Sequence, residues 1–164
     1  AKVRNERMAE IEQRRTSAEQ TRELLRPQAW KRAEAELTRN GLVIVQAYYG
    51  RRDAFPTLVD IDLSRIKDKK EILPLIQQKG EYNDTNVNQP LWWDVQVPLQ
   101  MLVTQSQLII PAGRSKSKLI GFFDPCVGER KQLLIRYVFQ GALHELVVDD
   151  EDAVAAPLRS QQLM

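Results

Sequence analysis

The stretch from Leu119 to Val148, LIGFFDPCVGERKQLLIRYVFQGALHELVV, constrains the fold more than any other part of the chain. A turn-rich entry, a strand, a tight reversal at Gln140-Gly141 and a second strand follow one another there. Leu133, Ile135, Tyr137 and Phe139 alternate onto one face, and ALHELVV returns antiparallel to them. The same stretch holds the only cysteine, Cys126, and the only histidine, His144. A Ser-His-Asp or Cys-His site would have to use that single imidazole, and a Cys/His zinc site would lack ligands. No catalytic, cofactor-binding or metal-binding set is therefore assigned, and the residues read as a binding or scaffolding domain.

Other segments extend the β pattern. LVIVQAYY (42–49) is apolar on both faces and ends at Gly50, as a central strand covered on both sides would. In Asp94–Val103, Val95, Val97, Leu99, Met101 and Val103 alternate with Gln96 and Gln100, which predicts another strand. Pro98 cannot donate to a ladder, so that strand is placed at an edge or given a bulge. QLIIP (107–111) reads as a short partner strand. The acidic run Asp149–Asp152 before AVAA predicts a capped helical turn stopped by Pro157, and it lacks the spacing of a calcium loop.

The first forty residues are different in kind. From Ala1 to Arg39 there is no Gly and one Pro, and opposite charges recur at helical spacing, as in Glu10 with Arg14 and Glu19 with Arg22. Apolar residues are sparse before Leu24. Met8, Ile11 and Ala18 form a stripe closer to a coiled-coil seam than to a core-facing surface. Pro27 is expected to break or restart the helix, after which Trp30, Ala33 and Leu37 share a face that docks on the domain. Asn40-Gly41 is the expected stop. Residues 1–25 read as a free charged linker helix, ahead of a partner-binding coiled coil. This segment carries ten Lys/Arg against seven Glu, the remainder fourteen against fifteen Asp/Glu. A membrane-surface or nucleic-acid module built on Arg4, Arg7, Arg14 and Arg15 is disfavoured by the interleaved glutamates.

The division is then 1–40 as a charged helical arm, 41–158 as a β-rich domain with an excursion at 51–91, and 159–164 as a tail. Within the excursion LVDIDL (58–63) is a candidate strand and 64–80 an amphipathic helix weakened by Pro74; residues 81–90 are a polar loop. The fold class is α+β: a mostly antiparallel β domain, sandwich-like or a highly curved sheet, behind a long charged N-terminal helix. One cysteine precludes an internal disulfide and fits a reducing compartment. No apolar run approaches the ~20 residues of a membrane span, and no signal-peptide core is visible. The first residue, Ala1, falls in mid-pattern, as in a piece of a longer protein.

Several side chains are candidates for contact with partners. Trp92 and Trp93 are adjacent, so on a strand they face opposite ways, one into the core and one available as an anchor. With Met8, Ile11 and Trp30 on the helix and Pro98 on the edge strand, they make up the candidate interaction residues. GRSKSKL (113–119) is a short basic loop without phosphate-loop spacing, read as solvated lysines. The alternative of a small-ligand or hydrolytic domain would rest on Cys126 and His144.

GLVIVQAYYG, the DVQVPLQMLV and SQLIIP runs, G-F-F-D-P-C-V-G-E and the Y-x-F-x-G-x-x-H-E hairpin are together similar to one family. They resemble the C-terminal domain of the mitochondrial J-domain proteins called DnaJ homologue subfamily C member eleven. The likeness is carried by residues 30–50 and 92–158, and 51–91 departs from it. The resemblance implies an upstream J domain and a β-barrel-like middle region. It also implies association with proteins that bridge mitochondrial membranes and organise cristae. A J domain's His-Pro-Asp motif is not present here, since Glu145 follows His144, so contact with an Hsp70 would run only through an upstream J domain. The resemblance supplies no catalytic residue, no cofactor and no nucleic-acid partner, and any membrane association would be indirect.

Overall fold

The computed structural model describes residues 2–77 and 90–163. Helix α1 (Lys2–Thr38) is followed by β1 (Val43–Gly50), two short 3-10 helices (Arg52–Ala54, Leu63–Arg65) and a longer 3-10 segment, Lys69–Gln77. Then come β2 (Trp92–Asp94), α2 (Gln96–Leu102), β3 (Leu108–Ile110), β4 (Gln132–Phe139), β5 (Ala142–Asp149) and β6 (Val154–Ala156). A four-stranded antiparallel sheet has the order β2-β1-β4-β5, and β3 pairs with β6 in a second, two-stranded sheet. The class is α+β.

The β4–β5 hairpin forms as its alternation requires. Phe139 pairs with Ala142, and Gln140 and Gly141 both have positive φ (51° and 76°), the two-residue primed turn whose twist matches that of the flanking strands. Strand β1 is buried along its whole length and pairs with β4 from Val43 to Gly50, with a bulge at Val45.

Asn40-Gly41 closes α1 as expected. Asn40 is left-handed (φ 56°), its N–H donates to Leu37 O, and the Gly41 N–H reaches back to Glu36 O at 2.8 Å. Glycine at 41 leaves room for two side chains: a Cβ there would lie 2.2 Å from Glu36 Oε1 and 2.3 Å from Ser106 Oγ, and both would have to move. That same Oε1 accepts the Leu42 N–H, so a buried glutamate hands the chain from helix to strand.

Two predicted elements differ. Residues 94–103 are not a strand: after β2 the chain turns into α2, with Asp94 Oδ1 accepting the Gln96 N–H and Pro98 in the first turn, where a missing N–H costs nothing. Pro98 is therefore a buried helix residue and not an edge-strand contact. Residues Gln96 to Gln100 are all buried, so the helix has no polar face to reveal its period. The acidic run also does not start a helix. Asp149–Asp152 bends back into β6, because the Lys116 ammonium gathers the carbonyls of Asp149, Asp150 and Asp152.

One cluster of the core fills the space between the two sheets. Ile44, Tyr49, Ile135 and Tyr137 meet Leu108, Ile110, Val154 and Ala156, closed by Trp93, Phe122, Phe123 and Leu99. A second cluster joins Val43, Val45 and Val138 to Ala33, Leu37 and Ile72. The excursion contributes to it through Ile72 of the 3-10 segment, which replaces the amphipathic α-helix expected at 64–80. Leu58–Leu63 forms no ladder, and the polar loop lies, apart from Pro90, outside the described residues.

Helix α1 runs unbroken through Pro27, whose ring lies on the exposed side of the helix. At 37 residues and ~1.5 Å per residue it is about 55 Å long.

Candidate interaction surface

From Arg15 onward the N-terminal arm is docked and not free, and arginines take part in the docking beside apolar side chains. The Arg15 guanidinium, 6% exposed, lies over the Phe123 ring at 5.2 Å. Arg22 lies over Trp93 at 4.1 Å and donates to Asp94 O at 3.1 Å. Arg32 donates to the carbonyls of Met101 and Val103 at the C-terminal end of α2, where a cation also opposes the helix dipole. Cation–π contacts of this desolvated kind contribute ~1–2 kcal/mol each. Ala18, Ala29, Ala33 and Leu37 supply the apolar part. Engagement of Arg15 with Phe123 also takes it out of any basic surface for lipid or nucleic acid.

Only the first part of the stripe stays in water. Met8 is 44% exposed and Ile11 half-buried, two turns and one turn ahead of Arg15 on the same face. Trp30 is half-buried and lines a cavity of about 40 Å³ with Ile76 and Val97. Trp92 and Trp93 do face opposite ways. Trp93 is 5% exposed and its Nε1–H donates to Gly121 O at 3.0 Å; half-buried Trp92 meets the Tyr48 ring edge-on at 5.6 Å. Of the six residues proposed for contact, Trp93 and Pro98 are thus structural, and Met8 is the most accessible of those the sequence placed on α1.

Cys126 and His144 are not brought together. Cys126 is buried in the turn before β4, its N–H bonded to Asp124 Oδ1, and burial together with Asp124 pushes its thiol up to about 11. His144 is 4% exposed, stacks on Tyr137 at 4.7 Å and has Nδ1 2.9 Å from Ala142 O. A carbonyl only accepts, so Nδ1 carries the proton. His144 sits opposite Tyr137, five residues along β4 from Gln132, or ~17 Å at ~3.4 Å per residue. A thiol that stays protonated, at the far end of the strand from the imidazole, makes no nucleophile–base pair.

The sequence missed two polar constellations. Gln100 accepts the Ile44 N–H at 2.8 Å and donates to Leu42 O, while Gln96 donates to Ile44 O at 2.8 Å. These amides complete the β1 edge that short β2 leaves uncovered. The second is Lys116, 1% exposed, whose Nζ lies 2.6–3.2 Å from three carbonyls, beside the Asp150 carboxylate bonded by Tyr49, Ser115 and the Lys116 N–H. The basic loop therefore holds a structural cation in place of one solvated lysine. Among the described residues no group of three or more His, Cys, Asp or Glu is arranged to hold a metal ion, and no helix is long and apolar enough to cross a membrane.

The family model for the C-terminal region of DnaJ-like protein C11 matches residues 2–157. DnaJ homolog subfamily C member 11 of Mus musculus is 35% identical over 162 residues, 99% of this chain and 24% of that protein. A homolog of that protein from Dictyostelium discoideum is 36% identical over 126 residues, 76% of this chain and 18% of its own length. An uncharacterized J domain-containing protein of Schizosaccharomyces pombe is 32% identical over 110 residues, 62% of this chain and 18% of its own. No solved structure matches. The chain spans about a quarter of the length of the mouse relative. The family match runs through 51–91, so the excursion that the residue pattern set apart lies inside it, in keeping with its share of the second core cluster. With the match running from the docked helix to the last strand, the chain belongs to the C-terminal domain family of DnaJ-like protein C11.

Proposed function

We propose that this chain is a protein-interaction domain of a J-domain co-chaperone, with no reaction of its own, and that it acts at mitochondrial membranes beside membrane-bridging and cristae-organising proteins. Any Hsp70 is engaged by a J domain elsewhere in the protein. Membrane association is indirect, and nucleic acid is not a partner. One observation carries the reading: the stripe that seats α1 on the domain continues past the domain's edge as Met8 and Ile11, leaving a helix face for another protein to cover.

The test is a pull-down from a mitochondrial extract with the chain and with a Met8→Glu, Ile11→Glu variant. Both positions precede the docked arginines, so the circular dichroism spectrum should not change. Loss of membrane-bridging or cristae-organising proteins from the variant supports the reading. Equal recovery by both, or recovery of none by either, overturns it. Deleting residues 1–25 would be a poor substitute, since it removes Ala18 from the core and the Arg15 and Arg22 contacts with Phe123 and Trp93.

A further inference from the structure

Between α1 and the loop 117–124 lies an open cleft of about 450 Å³, within the ~300–1,000 Å³ usual for binding clefts. Arg14, Ser17 and Thr21 form its helical wall, spaced at three and four residues on one face, and Lys118 and Ile120 form the opposite lip. Its charge is not balanced. Asp124, the one acid on the lining, is already spent: its Oδ2 is 3.2 Å from Lys131 Nζ and its Oδ1 accepts the Cys126 N–H. Arg14 and Lys118 have no ion pair among the described residues. Ile120 on the same lip is 76% exposed and offers apolar surface beside these cations.

The wall beneath is fixed in advance. Trp93 holds Gly121 O, and its ring meets Phe123 edge-on at 4.8 Å under the Arg15 guanidinium. Gly121 (φ 86°) lies so close to the Pro98 ring that an added Cβ would come within 2.9 Å of it. A cleft held this way loses little ordering entropy when it is filled.

We propose that this cleft binds an acidic peptide segment carrying a bulky apolar side chain, the carboxylates meeting Arg14 and Lys118 and the apolar group meeting exposed Ile120. It rests on the reading of the domain as a protein-interaction module and supplies the chemistry of one partner. Cations on facing walls suit a chain that passes between them. The floor is shallow, with Phe122 and Phe123 only 6% and 4% exposed, which leaves no depth for an acyl chain.

The experiment is a titration of the isotope-labelled chain, followed by amide chemical shifts, with the blocked peptide acetyl-Glu-Leu-Glu-Phe-Glu-amide and with its all-glutamine counterpart. Expected are shifts concentrated at residues 14–21 and 117–124, binding about tenfold weaker for the glutamine peptide, and a fall in affinity with added salt. Arg14→Glu with Lys118→Glu should abolish binding while the rest of the spectrum stays dispersed. The proposal is overturned if both peptides bind alike, if the shifts fall elsewhere, if the charge-reversed variant still binds, or if only vesicles of phosphatidylcholine with about 30% phosphatidylserine move these amides. Failure of the peptide with extract partners still dependent on Met8 and Ile11 removes the cleft alone. Loss of those partners removes the broader reading whatever the peptide does.

Discussion

Strand β1 is closed along its two sides by different chemistry. Toward β4 it meets a backbone ladder from Val43 to Gly50. Toward the other side the ladder lasts three residues, Tyr48 to Gly50, and beyond it the side chains of Gln96 and Gln100 reach the backbone of Leu42 and Ile44. The β4 side repeats one geometry and distributes its strength over many equivalent bonds. On the α2 side the bonds are few, each made by a named side chain, and behind α2 Arg32 of α1 holds its last turn in place. A ladder tolerates the loss of any single side chain; a surrogate edge does not.

The sharpest way to break this comparison is Gln100→Leu, which keeps the volume and removes both bonds. It strands the Ile44 N–H and Leu42 O beneath α2, at ~1–3 kcal/mol per buried unpaired group. A loss of about 2–5 kcal/mol by urea unfolding is expected. On the hairpin side, Glu145→Gln keeps an oxygen to accept the Arg136 Nε–H and loses only the charge of a largely buried pair, which should cost about 1 kcal/mol. Equal costs would erase the distinction.

A smaller effect is expected at the turn closed by Lys116. Lys116→Met takes a donor from three carbonyls, on the order of 2 kcal/mol. The neighbouring carboxylate adds a pH signature. Burial pushes Asp150 up, but hydrogen bonds from Tyr49, Ser115 and the Lys116 N–H outweigh it and hold the group below its usual range. With the folded value below the unfolded one, its stabilisation is complete above the ordinary carboxylate pKa and is lost as pH falls through the folded value. Asp150→Asn should flatten the acid limb of a plot of unfolding midpoint against pH. An unchanged limb would separate this network from stability.

A comparably small effect tests the helix. Arg22→Gln should cost about 1 kcal/mol, seen as faster amide exchange over residues 11–25 with β4 and β5 protection unchanged. Equal acceleration in the hairpin would show that α1 and the sheet open together.

This contrast also explains how far the sequence could be read. Alternation in β4 and β5, the Gln140-Gly141 turn, the apolar run of β1 and the Asn40-Gly41 stop are local patterns, and each is seen in the structure. The α2 segment misled because Val95, Val97, Leu99 and Val103 alternate while Gln96 and Gln100 are buried too. Asp94 ahead of Pro98 was the available sign of a helix start. Helix α1 looked free because an arginine lying on an aromatic ring is written with the same letters as one in water. At the candidate surface the exposure of Met8 follows from the stripe. The burial of Lys116 was illegible, because its carbonyl partners stand 33 to 36 residues further on.

The wide separation of α1 from its partners orders events on the ribosome. Arg22 finds Asp94 72 residues later, and Arg32 finds Met101 and Val103 69 and 71 residues later. The helix is synthesised before its partners and can settle only after Phe123 has emerged. A sequence that pairs charges along its own length and shows little apolar surface is suited to that wait, because the nascent helix stays hydrated and offers chaperones little to grip.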